Sequence, residues 1–92
     1  MKKSRRQVLS IWNLKALIYD CARRAGVGYL HRSDTGLYND ILTIEFRRRS
    51  CIITCNNTNN YSIFAFFLKC LEDALEDIAD FHYKDDKVIL NY

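Results

Sequence analysis

YSIFAFFLKCLEDALEDIADFHY, residues 61–83, is the stretch whose reading decides the fold. At about 100° per residue, Phe64, Phe67, Leu68, Leu71, Leu75, Ile78 and His82 fall on one arc. Lys69, Glu72, Asp73, Glu76, Asp77 and Asp80 fall on the opposite one. The pattern predicts one long amphipathic helix from Tyr61 to about Tyr83, with its apolar arc on a core and an acidic row outside. Working outward, Asn56-Asn57-Thr58-Asn59-Asn60 breaks the chain just before it, and Asn59 or Asn60 suits the helix N-cap. Beyond it, Asp85-Asp86 turns the chain into a terminal strand, Lys87 to Tyr92.

A second helix is expected from about Arg5 to Ala25. Ser4 and Gln7 have capping-box spacing, and Ile11, Leu14, Ile18, Cys21 and Ala25 recur at helical intervals. Arg23 and Arg24 complement the negative end of the helix dipole, and Gly26 can adopt the left-handed conformation that ends it. Between the helices, Val27–Arg32 alternates as a short strand, Ser33-Asp34-Thr35-Gly36 has turn chemistry, and Tyr38–Arg47 alternates again. Ser50–Cys55 is its hairpin partner. The connection Arg47-Arg48-Arg49-Ser50 lacks the Gly or Asn that a tight primed turn prefers, so it is either wider than two residues or strained. The resulting order is α-β-β-β-α-β. It predicts a small α+β domain spanning residues 1–92, with residues 1–4 a flexible basic tail and two helices packed on one face of an antiparallel sheet. The terminal strand would sit at an edge or pair with a second copy.

Ninety-two residues that are 49% hydrophobic and 27% charged suffice for one core, and no low-complexity tract points to disorder. The net charge of +3 conceals a division. Residues 1–50 hold 11 Lys/Arg against 4 Asp/Glu, whereas residues 51–92 hold 3 against 7. A dipolar chain suits nucleic acid on one side or a charged protein partner on either. The basic N-terminus is followed by Asn13, Lys15 and Asp20 rather than by an apolar signal core, and no window reaches the roughly 18 apolar residues of a membrane span. The expectation is a soluble, cytoplasmic protein with no membrane contact, in which Cys21, Cys51, Cys55 and Cys70 stay reduced.

No constellation announces a reaction. Cys51 and Cys55 on an extended strand stand about 13 Å apart, too far to share a metal, and Cys21 and Cys70 fall on separate helices. His31 near Ser33 and Asp34, and His82 near Asp80, are neighbours in sequence only, which does not make a triad. Asp40 with Glu45-Phe46-Arg47 matches poorly the acidic pair and lysine of metal-dependent nucleases. A non-enzymatic protein without cofactor or metal is therefore expected.

Two surfaces remain as candidates for protein binding. One is the acidic row Glu72, Asp73, Glu76, Asp77 and Asp80 with Phe66, which projects about 200° from Phe64; successive turns would repeat its charges every 5–6 Å or so, near phosphate spacing. The other is an aromatic–basic stripe on the first helix, Trp12, Lys15, Tyr19 and Arg23, which together with Val8 lies off the core stripe. Large aromatics and Arg are enriched at contact hot spots. The leading expectation is a docking protein, an inhibitor or adaptor of the kind phages and mobile elements encode, whose partner is another protein, one that handles nucleic acid. The alternatives are direct DNA or RNA binding through Lys2, Lys3, Arg5, Arg6, Arg47, Arg48 and Arg49, and a homodimeric adaptor.

Overall fold

Ser10 starts the first helix. Its backbone is extended (φ −80°, ψ 155°) and its hydroxyl accepts from the Asn13 amide at 3.1 Å, so α1 runs Ile11–Ala25. The expected start at Arg5 is corrected: Leu9 and Ser10 are not helical, and Ser10 holds the capping role. The Ser4–Gln7 box lies outside residues 9–92, the part of the chain that this computed structural model describes. At the other end Gly26 (φ +79°) donates to the Ala22 and Arg23 carbonyls and turns the chain out of the helix, as the sequence predicts.

The segment that follows is mostly irregular. Only β1, His31–Arg32, is strand, while Val27 and Leu30 bury their side chains and anchor it to the core. β2, Gly36–Tyr38, and β3, Leu42–Arg47, replace the single strand expected over Tyr38–Arg47. The interruption is made by Asn39, whose side-chain oxygen accepts from the amides of Ile41 (2.8 Å) and Leu42 (3.1 Å) and bends the chain between them. At Gly36 β2 comes so near β3 that a Cβ would lie 1.8 Å from the Ile44 carbonyl oxygen, so no other residue fits. β4, Ser50–Cys55, pairs with β3 from Leu42↔Cys55 to Arg47↔Ser50, which leaves a two-residue loop, Arg48-Arg49. The strain alternative holds there, since Arg49 takes φ +60°.

A 3₁₀ turn, Thr58–Asn60, is capped by the Asn57 side chain, which accepts from the Asn59 amide at 2.9 Å. It leads into α2, Tyr61–Ala74, for which Asn60 supplies no side-chain cap. The helix expected to reach Tyr83 ends nine residues earlier: Leu75–Ile78 form a turn, and β5, Asp80–Lys84, and β6, Lys87–Asn91, form a hairpin. Its acidic C-terminal turn opposes the negative pole of the dipole, with no basic residue in the last turn to offset it. Further helix would also stack Glu72 under Glu76 and Asp73 under Asp77 at repulsive i,i+4 spacing. His82 is thus an exposed strand residue and not part of a core arc.

The strands form one antiparallel sheet in the order β1-β2-β3-β4-β6-β5. β6, expected at an edge, is interior, and β5 takes the edge. Leu37, Leu42, Ile44, Cys51, Ile53, Cys55, Val88 and Leu90 point to one face and are buried under Leu14, Ile18 and Cys21 of α1 and Phe64, Phe67, Leu68 and Leu71 of α2. The chain is therefore α+β, with two helices on an antiparallel sheet. No helix among the described residues is long and apolar enough to cross a membrane.

Candidate functional site

The outward stripe of α1 follows directly from its core stripe. With Leu14, Ile18, Cys21 and Ala22 buried, Trp12, Tyr19 and Arg23 are carried to the solvent side, Trp12 two turns before Tyr19 and Arg23 one turn after it. Trp12 is 75% exposed. Lys15 lies beside it, its Nζ 5.6 Å from the Trp12 ring centroid and 5.2 Å from that of Phe46, so its ammonium is held against two aromatic faces. Asp20 receives both Arg23 and Arg24, the latter at 3.0 Å. The stripe expected from the sequence is thus assembled, with Arg23 partly neutralised.

Beyond the helix, Tyr29 borders α1 and joins it to a ring series on the other face of the sheet, residues that the sequence pattern does not single out. Gly28 (φ +90°) turns the backbone between the buried Val27 and Leu30, leaving Tyr29 76% exposed. The Asn39 amide group fixes the segment from the other side, donating to the carbonyls of Val27 (2.9 Å) and Tyr29 (3.1 Å). Strand pairing sets His31 opposite Tyr38, and the rings of Tyr29, His31 and Tyr38 form a series with centroids 5.0 and 5.3 Å apart. Between this segment and α1 opens an apolar groove of about 400 Å³, walled by Tyr19, Ala22, Arg23, Gly28, Tyr29 and Leu30. Alternation of Tyr29 and His31 in the sequence hints at a shared face, but their meeting with Tyr38 depends on a pairing register that no local pattern carries.

The acidic row does not assemble. Glu72 and Asp73 end α2, Glu76 and Asp77 lie in the turn after it, and Asp80 opens β5. Asp73 also pairs with Lys69 at 3.6 Å. Phe66 is 53% exposed on the outer side of α2, but the regular spacing of carboxylates needs a helix that has already ended. The arginine triplet is likewise divided. Arg47 binds Glu45 at 2.9 Å, Arg49 donates from Nε to the Tyr92 main-chain oxygen at 2.9 Å, and Arg48 alone projects from the tip without such a tie. Lys2, Lys3, Arg5, Arg6 and Val8 lie outside the described residues.

Among the described residues, two of the cysteines are held as thiols. Burial pushes the Cys51 thiol up to about 12. Burial, then the neighbouring Cys70 and Asp20, raise Cys21 to about 11 against the opposing pull of Arg24. Both are therefore protonated at neutral pH, and a thiol is a poor nucleophile and ligand. His31 is occupied by the tyrosine rings on either side, and among the described residues no three His, Cys, Asp or Glu side chains lie close enough to hold a metal ion. Compared with protein-family models, curated proteins and solved structures, the chain matches none of them.

Proposed function

We propose that the protein is a non-enzymatic docking module whose contact surface is the aromatic–basic stripe of α1, Trp12, Lys15, Tyr19 and Arg23, continued by Tyr29 across the neighbouring groove. The carrying observation is the exposure of Trp12 and Tyr29, at 75% and 76%, with Tyr29 facing Tyr19 across an apolar groove that Arg23 borders. Rigid aromatics lose little conformational freedom when a partner covers them, and a few such side chains dominate contact energies. The nearby cations Lys15, Arg23 and Arg32 favour an acidic protein surface, and the module acts by occupying it, as an inhibitor or adaptor does. A nucleic-acid reading has less support, because Arg47 and Arg49 are engaged within the chain.

Affinity capture from a lysate, read by mass spectrometry against matched variants, tests this. Trp12→Ala and Tyr29→Ala should each reduce capture of the partner by roughly thirtyfold or more while leaving the melting temperature unchanged. Neutralising Glu72, Asp73, Glu76 and Asp77 should leave capture intact. Loss of capture in the neutralised variant, with Trp12→Ala behaving as wild type, would move the interface to α2 and sink the assignment. DNA or RNA binding at low salt that disappears when Arg47, Arg48 and Arg49 become Ala would favour the rival class instead.

A further inference from the structure

We propose that β5 is a self-complementary edge through which the protein pairs with a second copy of itself, about a two-fold axis at His82. The inference is independent of the docking face and concerns the opposite edge of the sheet. Strand order ends at β5, and no strand among the described residues covers its outer side. The hydrogen-bonding parity of that side follows from neighbouring pairs. The Cys55 amide donates to the Asp86 carbonyl and the Tyr92 amide to the Arg49 carbonyl, so Val88 and Leu90 direct their backbone groups to β4. Lys87, Ile89 and Asn91 therefore bond Lys84, His82 and Asp80, and the N–H and C=O groups of Phe81 and Tyr83 point out of the sheet.

An antiparallel copy centred on His82 satisfies those groups in register. Phe81 meets Tyr83 of the second copy and Tyr83 meets its Phe81, which makes four main-chain hydrogen bonds. Asp80 falls opposite the second copy's Lys84, and Lys84 opposite its Asp80, so the outermost positions attract. Asp80 also engages a neighbour within its own chain. The side chains agree with the backbone. Phe81 and Tyr83 stand beside the buried Leu90 and Val88 on the core side of the sheet, yet Tyr83 is 57% exposed because the sheet stops there. The second copy would place its Phe81 ring beside that tyrosine. Shifting the register by two residues shortens the overlap and loses the charge match. The edge lacks a Pro and the pairing is isologous, so it closes as a dimer instead of growing into a fibre. Because β1 and β5 lie at opposite edges, such a dimer leaves both aromatic–basic faces open.

Sedimentation equilibrium of the full chain should show a concentration-dependent dimer. His82→Cys should form a covalent dimer under mild oxidation, because residues facing each other in a non-hydrogen-bonded antiparallel pair have Cα atoms about 4.5 Å apart, within disulfide reach. Lys84→Cys and the wild-type chain should not cross-link, since two Lys84 positions are separated along the strands. Tyr83→Pro, tolerated where the N–H faces outward, should weaken the dimer at least about tenfold with an unchanged circular dichroism spectrum. Lys84→Glu should weaken it as well, and adding Asp80→Lys should restore it. A chain that stays monomeric across the accessible concentration range with no His82→Cys cross-link overturns the proposal. So does a dimer that cross-links through Lys84→Cys in place of His82→Cys.

Discussion

Asn39 directs its side chain to two segments at once. Its oxygen holds the bend between β2 and β3, while its amide group holds the Val27 and Tyr29 carbonyls that shape the groove. Asn39→Asp keeps the acceptor and loses the donor, placing a carboxylate against two carbonyl oxygens. The expected cost is about 2 kcal/mol in chemical denaturation, with weaker partner capture as Tyr29 loosens. Asn39→Ala should cost more, because the bend loses its cap too. Arg49 illustrates a different compromise. Its left-handed backbone costs about 1 kcal/mol or more, partly offset by the Nε bond to Tyr92. Arg49→Ala should therefore lower stability by about 1 kcal/mol, and Arg49→Gly by clearly less, since glycine removes the strain while losing the same bond. Equal losses in urea titrations would show that the turn is not strained. Of the two, only Arg49 is partly legible in the sequence, where the missing Gly or Asn in the Arg47–Ser50 connection points to strain. Asn39, inside an alternating run, passed for a strand residue because its four bonds reach residues up to 12 positions away.

At the scale of elements, apolar spacing located both helices and the central hairpin but misplaced their ends. α2 shows why. Leu75 and Ile78 continue the helical arc in phase with Phe64 and Leu71, yet Leu75 belongs to the turn, where its amide bonds the Leu71 and Glu72 carbonyls and its side chain fills the core. Periodicity alone cannot separate a helix from a turn that buries residues at the same interval. The charges could: carboxylates at the C-terminal end were visible in the sequence, and they oppose both the dipole and one another. Glu76→Lys should thus raise stability by about 0.3–1 kcal/mol, measured by thermal unfolding, by placing a cation at the negative pole. The same substitution should lower stability if the carboxylate there holds a contact that the dipole argument omits. The even helical spacing of carboxylates read from the extended helix fails for the same reason as its length, whereas the stripe on α1 survives because Trp12, Lys15, Tyr19 and Arg23 all lie within Ile11–Ala25.

Across the whole molecule, sheet order follows chain order except for the exchange of β5 and β6, so the division of charge between the halves of the sequence becomes a division across the sheet. The core that joins the two sides contains Cys21 and Cys51, both buried as thiols. Their pKa values rise on folding, from about 9 to about 11 and about 12. Below pH 9 both are protonated folded or unfolded, and their burial contributes fully. Above pH 9 the unfolded chain releases protons that the folded chain retains, which favours unfolding. Stability should then fall with rising pH, most clearly through Cys51, by roughly 1 kcal/mol per pH unit up to its folded-state pKa. Cys51→Ala separates this effect from the titration of lysines and tyrosines. At pH 7 the substitution removes a buried sulfur and should destabilise modestly, by about 1 kcal/mol. Between pH 9 and 12 the gap should close and then reverse, because the alanine chain has no thiolate to expel from the core. A difference between wild type and variant that stays constant from pH 7 to 12 would mean that Cys51 already meets solvent in the native state. That result would contradict its packing against Leu90 and Phe46 at the centre of the sheet.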